Sequence, residues 1–143
     1  MNIEMTSFSR RLYGFSGTIQ NQKVWESGSV LMDRMWKEVR AKGFAHKGLN
    51  HWFYEGSGKI FVGVELEQEP AMPTDLESKV VEMPRCAYWK HVGPYSEMGR
   101  SYTEMHAEIR RRGLIESPLS LEIYGHDNGP DSVPEVELLI GLK

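Results

Sequence analysis

The sequence holds one cysteine, Cys86, among 143 residues, so it can form no internal disulfide and offers no cysteine cluster for zinc. Basic residues are not in excess. Lys and Arg number 17 against 20 Asp and Glu, which leaves nucleic acid no electrostatic footprint. No apolar run approaches the ~20 residues of a membrane span. The start, Met1 to Phe15, carries Glu4 and Arg10-Arg11 and lacks the apolar core of a secretory signal. His46, His51, His91, His106 and His126 show no HExxH or other tight ligand spacing, so core or surface positions are expected for them rather than a metal site. The GSGK run at Gly56–Lys59 is no phosphate loop, because Phe53 stands where glycine is needed and Ile60 where Ser or Thr is needed. It reads as a hairpin turn. These absences leave a soluble, cytoplasmic single domain with no cofactor or metal, and a chain of this length buries about two thirds of its unfolded surface.

What is plentiful is large soft side chains: four Trp, six Tyr and eight Met. They recur with a period. Laying Trp25–Tyr54 over Tyr95–Tyr124 at a constant offset brings Trp25 onto Tyr95, Met35 onto Met105, Val39 onto Ile109, Gly43 onto Gly113 and Tyr54 onto Tyr124. KEVRAKG answers AEIRRRG, and YGFSG (Tyr13–Gly17) answers WKHVG (Trp89–Gly93). The pattern reads as a duplication, with repeat 1 at about 8–66, a Pro-containing linker at 67–78 and repeat 2 at about 80–143.

Each half has the same order of elements. A short strand ends at glycine (Arg11–Ser16, then Cys86–Val92). A helix follows, with Met98, Tyr102, Met105 and Ile109 at helical spacing in one half and Leu31, Met32, Met35, Trp36 and Val39 in the other. Ser96 is the expected N-cap, and Gly43 and Gly113 are the expected stops. Two strands then form a hairpin: Leu49–Tyr54 with Ile60–Leu66, and Leu119–Tyr124 with Val136–Leu142. Cys86 on its strand is expected to be a buried filler.

The fold class is therefore α+β: a duplicated β-α-β-β unit with pseudo-twofold symmetry. Its antiparallel sheet carries two helices on one face and leaves a ligand trough on the other. Alternation along strands sends Leu119, Leu121 and Ile123 toward the helices, with Leu138, Ile140 and Leu142. The trough then collects Trp52, Tyr54, Tyr124, Glu122, Glu135, Glu137 and Leu139. Trp89 and its repeat partner Tyr13 either line the pocket or pack under the helices, and the pocket is favoured for Trp89. An aromatic box with carboxylates suits a flat aromatic cation, each ring contributing ~0.5–2 kcal/mol.

The segments MPRCAYWKHVGPYSEM (Met83–Met98), IRRRGL, LEIYGHD and EVELLIGL resemble the GyrI-like small-molecule-binding family, which also supplies effector-binding domains to AraC- and MerR-type bacterial transcription activators. The resemblance implies a pocket between the halves for hydrophobic organic cations, with an acidic residue of the last strand at its base. Glu137 matches that position, and a two-residue slip at Gly141 brings Glu135 there instead. No helix-turn-helix segment remains within the 143 residues, so a standalone member, like those on integron cassettes, is expected. Direct contact with nucleic acid or membrane is not expected. A homodimer or a DNA-binding partner in trans stays open. Two other classes also stay open: a hydrolase of cyclopropyl-type electrophiles using Glu137 as base, and an interaction module such as a gyrase inhibitor.

Overall fold

A computed structural model describes residues 1–125 and 132–143. His126 and the Gly/Asp/Asn/Pro-rich segment that follows it lie outside the described residues. Eight elements run in the order β1 (Glu4–Thr18), α1 (Val24–Lys42), β2 (His46–Gly56), β3 (Lys59–Leu66), β4 (Glu77–Val92), α2 (Met98–Arg111), β5 (Glu116–Tyr124) and β6 (Glu135–Leu142). The order is β-α-β-β followed by β-α-β-β.

Both helices stop where glycine permits a left-handed residue. Gly43 (φ 67°) and Gly113 (φ 71°) follow the last helical turns. The next amides, of Phe44 and Leu114, bond back to the Val39 and Ile109 carbonyls. That closes the orphan carbonyls of each helix end. The start of α2 departs from expectation. Ser96 makes no capping hydrogen bond, because Tyr95–Glu97 form a tight 3₁₀ turn after Pro94 and α2 begins only at Met98. The Glu97 amide bonds to the Pro94 carbonyl at 3.0 Å and sets that turn.

The sheet is closed rather than open. All neighbours are antiparallel in the order β1-β3-β2-β5-β6-β4, and β4 pairs back to β1 from Glu4↔Tyr88 to Gly14↔Glu77. The β1 and β4 strands are longer than their apolar stretches. Their outer parts, Glu4–Arg10 and Glu77–Arg85, belong to the β1–β4 ladder, which adds backbone hydrogen bonds, while Val81 and Met83 within it are fully buried. Closure corrects the expected trough, because the face away from the helices becomes the inside of a barrel.

Two apolar clusters follow from the alternation of side chains. The outer one joins Phe15, Val62, Leu138 and Ile140 to the helix residues Leu31, Met35, Val39, Met105 and Ile109. The inner one, Leu12, Phe53, Phe61, Val81, Met83, Cys86, Leu121, Ile123 and Leu139, contains no helix residue. Leu119, Leu121 and Ile123, expected beneath a helix, therefore sit with the barrel interior. Cys86 is fully buried there, its thiol donating to the Thr6 carbonyl at 3.4 Å and its pKa pushed up by burial.

Helix α1 meets the barrel through Gly28. A Cβ there would stand 2.2 Å from Cζ3 of Trp52, which is 1% exposed and lies under Trp25 in a stack of 5.1 Å. Alanine normally gains ~1 kcal/mol over glycine inside a helix. Here overpacking, which costs ~1–3 kcal/mol, outweighs it. Gly28→Ala lowers the midpoint of urea unfolding; a raised midpoint would mean that the helix does not press on Trp52.

Candidate functional site

Strands β2 and β5 pair with Trp52 directly opposite Glu122, and with Asn50 and Tyr54 opposite Tyr124 and Ser120. Trp52, Tyr54, Glu122 and Tyr124 are thus on one face of the seam, the outer one. The starts of the two helical segments close over it, bringing Val24 and Trp25 from one side and Tyr95 and Met98 from the other. Between them lies a cavity of about 210 Å³.

Its base is the Glu122 carboxylate, 6% exposed. A buried charge is tolerated only when its hydrogen-bonding capacity is met. One oxygen, Oε1, accepts the hydroxyls of Tyr54 at 2.7 Å and Tyr124 at 2.8 Å. The other, Oε2, accepts Tyr102 at 2.6 Å. Such distances are those of charge-assisted bonds. Burial first, then the charge of Glu122, pushes all three phenols well above the ordinary tyrosine range. They stay protonated and keep donating. Among the described residues no basic side chain lines the cavity, so the phenols satisfy the carboxylate without neutralising it.

The walls are aromatic. Trp25 stacks on Trp52 with 24° between the rings, Tyr95 meets Tyr124 edge-on at 5.7 Å, and Trp25 stands edge-on to Tyr124 at 6.2 Å. Trp25 and Tyr95, at 54% and 48% exposure, form the lip. Ring faces around an uncompensated carboxylate attract an organic cation by quadrupole and by charge.

Four of the expected site residues, Trp52, Tyr54, Glu122 and Tyr124, come together here. The others do not. Glu137 is opposite Ile123, whereas Glu122 is opposite Leu138; residues directly opposite share a face, so Glu137 points inside the barrel. Its Oε1 accepts the Tyr88 hydroxyl at 2.8 Å, and Leu139 belongs to the inner cluster. Glu135 has the same parity and faces Lys90 Nζ at 3.9 Å, so a two-residue slip does not bring it to the cup either. Trp89 packs against the outer core beside a surface cleft with Asn2 and Glu4, and Tyr13 is buried in that core. Tyr102, Trp25 and Tyr95, with Val24 and Met98, are the residues the sequence reading did not assign to the site. The offset alignment that matched Trp25 to Tyr95 carried the signal of that pair. Among the described residues, no group of His, Cys, Asp and Glu is arranged to hold a metal ion, and no helix is long and apolar enough to cross a membrane.

No family model and no curated protein sequence matches the chain. Solved structures do match in fold. The EcmrR C-terminal domain superposes with TM-score 0.77 at 13% identity, covering 99% of this chain and 97% of that one. In the EcmrR–DNA complex the match spans 57% of the EcmrR chain, with TM-score 0.75. SAV2435 bound to tetraphenylphosphonium gives TM-score 0.65 at 16% identity, covering 100% and 94%. A hydrolase from Listeria innocua gives 0.62 at 14% identity, covering 99% and 91%. The α+β fold is common to all of them.

The neutral phenol is the form this site holds. The stability it provides is complete below about pH 10, the ordinary tyrosine value, and is lost as pH rises through the elevated values of Tyr54, Tyr102 and Tyr124. A tyrosinate absorbance titration therefore shows these phenols ionising only along with alkaline unfolding. Their ionisation near pH 10 in a protein that is still folded by circular dichroism would rule out the described network.

Proposed function

We propose that the chain is a GyrI-like binding protein for hydrophobic organic cations, which it senses or sequesters in the cytoplasm, and that the cup over Glu122 is the site. The observation that carries this reading is the buried carboxylate held by three tyrosine hydroxyls, under aromatic walls, with no basic side chain in the lining among the described residues. A tryptophan or tyrosine face contributes up to ~2 kcal/mol to a desolvated cation, and the carboxylate adds attraction that strengthens as water leaves. The fold neighbour bound to tetraphenylphosphonium supports the ligand class. The EcmrR–DNA complex supports a role in regulation.

The cup of about 210 Å³ is smaller than the ~300–1,000 Å³ of most ligand pockets. Trp25 occupies the missing space. Half exposed and stacked on Trp52, it is the side chain that swings out, and a ring of the ligand takes its place on Trp52.

The duplication read from the sequence is consistent with where the site lies. The offset that pairs Trp25 with Tyr95 also pairs Trp52 with Glu122 and Tyr54 with Tyr124. Trp52 and Glu122 are directly opposite in the β2–β5 ladder, which supports a reading in which equivalent positions of the two halves meet at the seam. One half supplies a ring there and the other a charge.

Catalysis is the second reading, favoured by the fold neighbour described as a hydrolase. In this chain all three phenols donate to Glu122, which suits holding a charge better than protonating a leaving group. Calorimetric titration separates the readings. Glu122→Gln weakens tetraphenylphosphonium at least about tenfold, or ~1.4 kcal/mol, and leaves the neutral triphenylphosphine oxide within about twofold. Equal loss for both ligands removes the charge argument, and a chemically altered ligand in the recovered sample points to catalysis instead.

A further inference from the structure

Among the described residues, one buried side-chain nitrogen or oxygen has no hydrogen-bond partner, and it belongs to a wall of the Glu122 cup: Nε1 of Trp52. We propose, building on the reading of the cup as a cation site, that this N–H is its second recognition element, so that the cup takes cations whose apolar body also carries a neutral hydrogen-bond acceptor such as an ether or carbonyl oxygen.

An indole N–H can only donate, and a buried donor left unsatisfied is costly. Native structures keep few of them. Trp52 is 1% exposed and lies under Trp25, so bulk water does not reach the donor. Neither polar neighbour on its face serves it. Glu122 is directly opposite on β5, yet its two oxygens are held by the hydroxyls of Tyr54, Tyr124 and Tyr102. Asn50, two residues earlier on β2, accepts at Oδ1 from Trp36 Nε1 at 2.7 Å. One indole of this face is therefore matched within the protein, and the one that lines the cup is not.

Helix α1 fixes which way the unmatched edge turns. A Cβ on Gly28 would meet Cζ3, Cη2 and Cε3 of Trp52, so the benzene edge of the ring is pressed on the helix. Nε1 is on the other edge of the indole. Helix α1 packs on β1 and β3, while β3 and β5 flank β2 on its two sides. The edge turned from α1 is thus turned to the β5 side, where Glu122 and Tyr124 line the cup.

The cup then presents an anion and a neutral donor to the same ligand. A cation of hydrocarbon surface alone, such as tetraphenylphosphonium, meets the first and leaves the second unpaired. An anionic acceptor would be repelled by the Glu122 carboxylate, and the repulsion grows in a dry site. A neutral acceptor on a cation suits both.

Three cations of one shape test the donor by calorimetry: pentyltriphenylphosphonium and its 2-ethoxyethyl and 3-methoxypropyl analogues, in which an ether oxygen replaces the third or the fourth carbon of the chain. Each is titrated into the protein and into the variant Trp52→benzothienylalanine, which keeps the ring's shape with sulfur in place of N–H. The affinity of at least one ether, relative to the pentyl cation, is about tenfold lower in the variant than in the unmodified protein. In the unmodified protein, the Trp52 indole proton resonates further downfield with that ether bound than with the pentyl cation bound. An unchanged ratio for both ethers, or one indole resonance for all three complexes, overturns the donor role and leaves the cup as a cation site. Failure of the pentyl cation to bind the unmodified protein overturns the cup reading itself, and the donor role with it.

Discussion

A carboxylate placed under a layer of helices has to be satisfied by its neighbours, and what satisfies Glu122 governs this structure. A lysine or arginine would have cancelled its charge. Three phenols instead fill its oxygens and leave the charge in place. The difference matters physically, since a neutralised pair has little left for a ligand, whereas a hydrogen-bonded anion in an apolar cup still attracts a cation strongly. The arrangement also ties three elements together. Tyr54 comes from β2, Tyr124 from β5 and Tyr102 from α2, so the helix is fixed to the seam by the same atom group that makes the site.

Closure of the sheet gives the chain two separate interiors. The β1–β4 ladder turns one face of the sheet into a filled barrel and leaves the other to the helices. Glu122 and Glu137 are close in the β5–β6 ladder, yet one residue of register puts them on opposite faces. The first stands beneath aromatic rings, the second at a mouth that also holds Arg10, Lys47 and His51. The same sheet can therefore present an anion to an aromatic cup on one side and a charge-balanced cleft on the other.

The parity of β2 and β5 was legible in the sequence, and it put Trp52, Tyr54, Glu122 and Tyr124 on one face, as the β2–β5 register does. Whether that face is outer or inner was not. Whether the sheet stays open depends on the β1–β4 ladder through Glu4–Arg10 and Glu77–Arg85, mostly polar stretches in which the buried pair Val81 and Met83 is too short an alternation to announce a strand. The placement of Glu137 depended on cross-strand register, which alternation within β6 alone cannot supply. Tyr102 sat on a helical stripe that reads as core, and it does pack against the core; only its hydroxyl reaches Glu122. The glycine stops at Gly43 and Gly113 were readable because a left-handed residue has one favoured occupant, whereas Ser96 lost its capping role to a turn set by Pro94.

The central claim is that an uncancelled charge on Glu122 holds a cation where Trp25 now rests. A crystal structure with tetraphenylarsonium tests it most directly, because the anomalous signal of arsenic marks the centre of positive charge. The arsenic is expected over the Glu122 carboxylate, with Trp25 moved off Trp52 and Tyr95 still at the lip. Arsenic found beside Glu137 at the barrel mouth, with the Trp25–Trp52 stack intact, would contradict it.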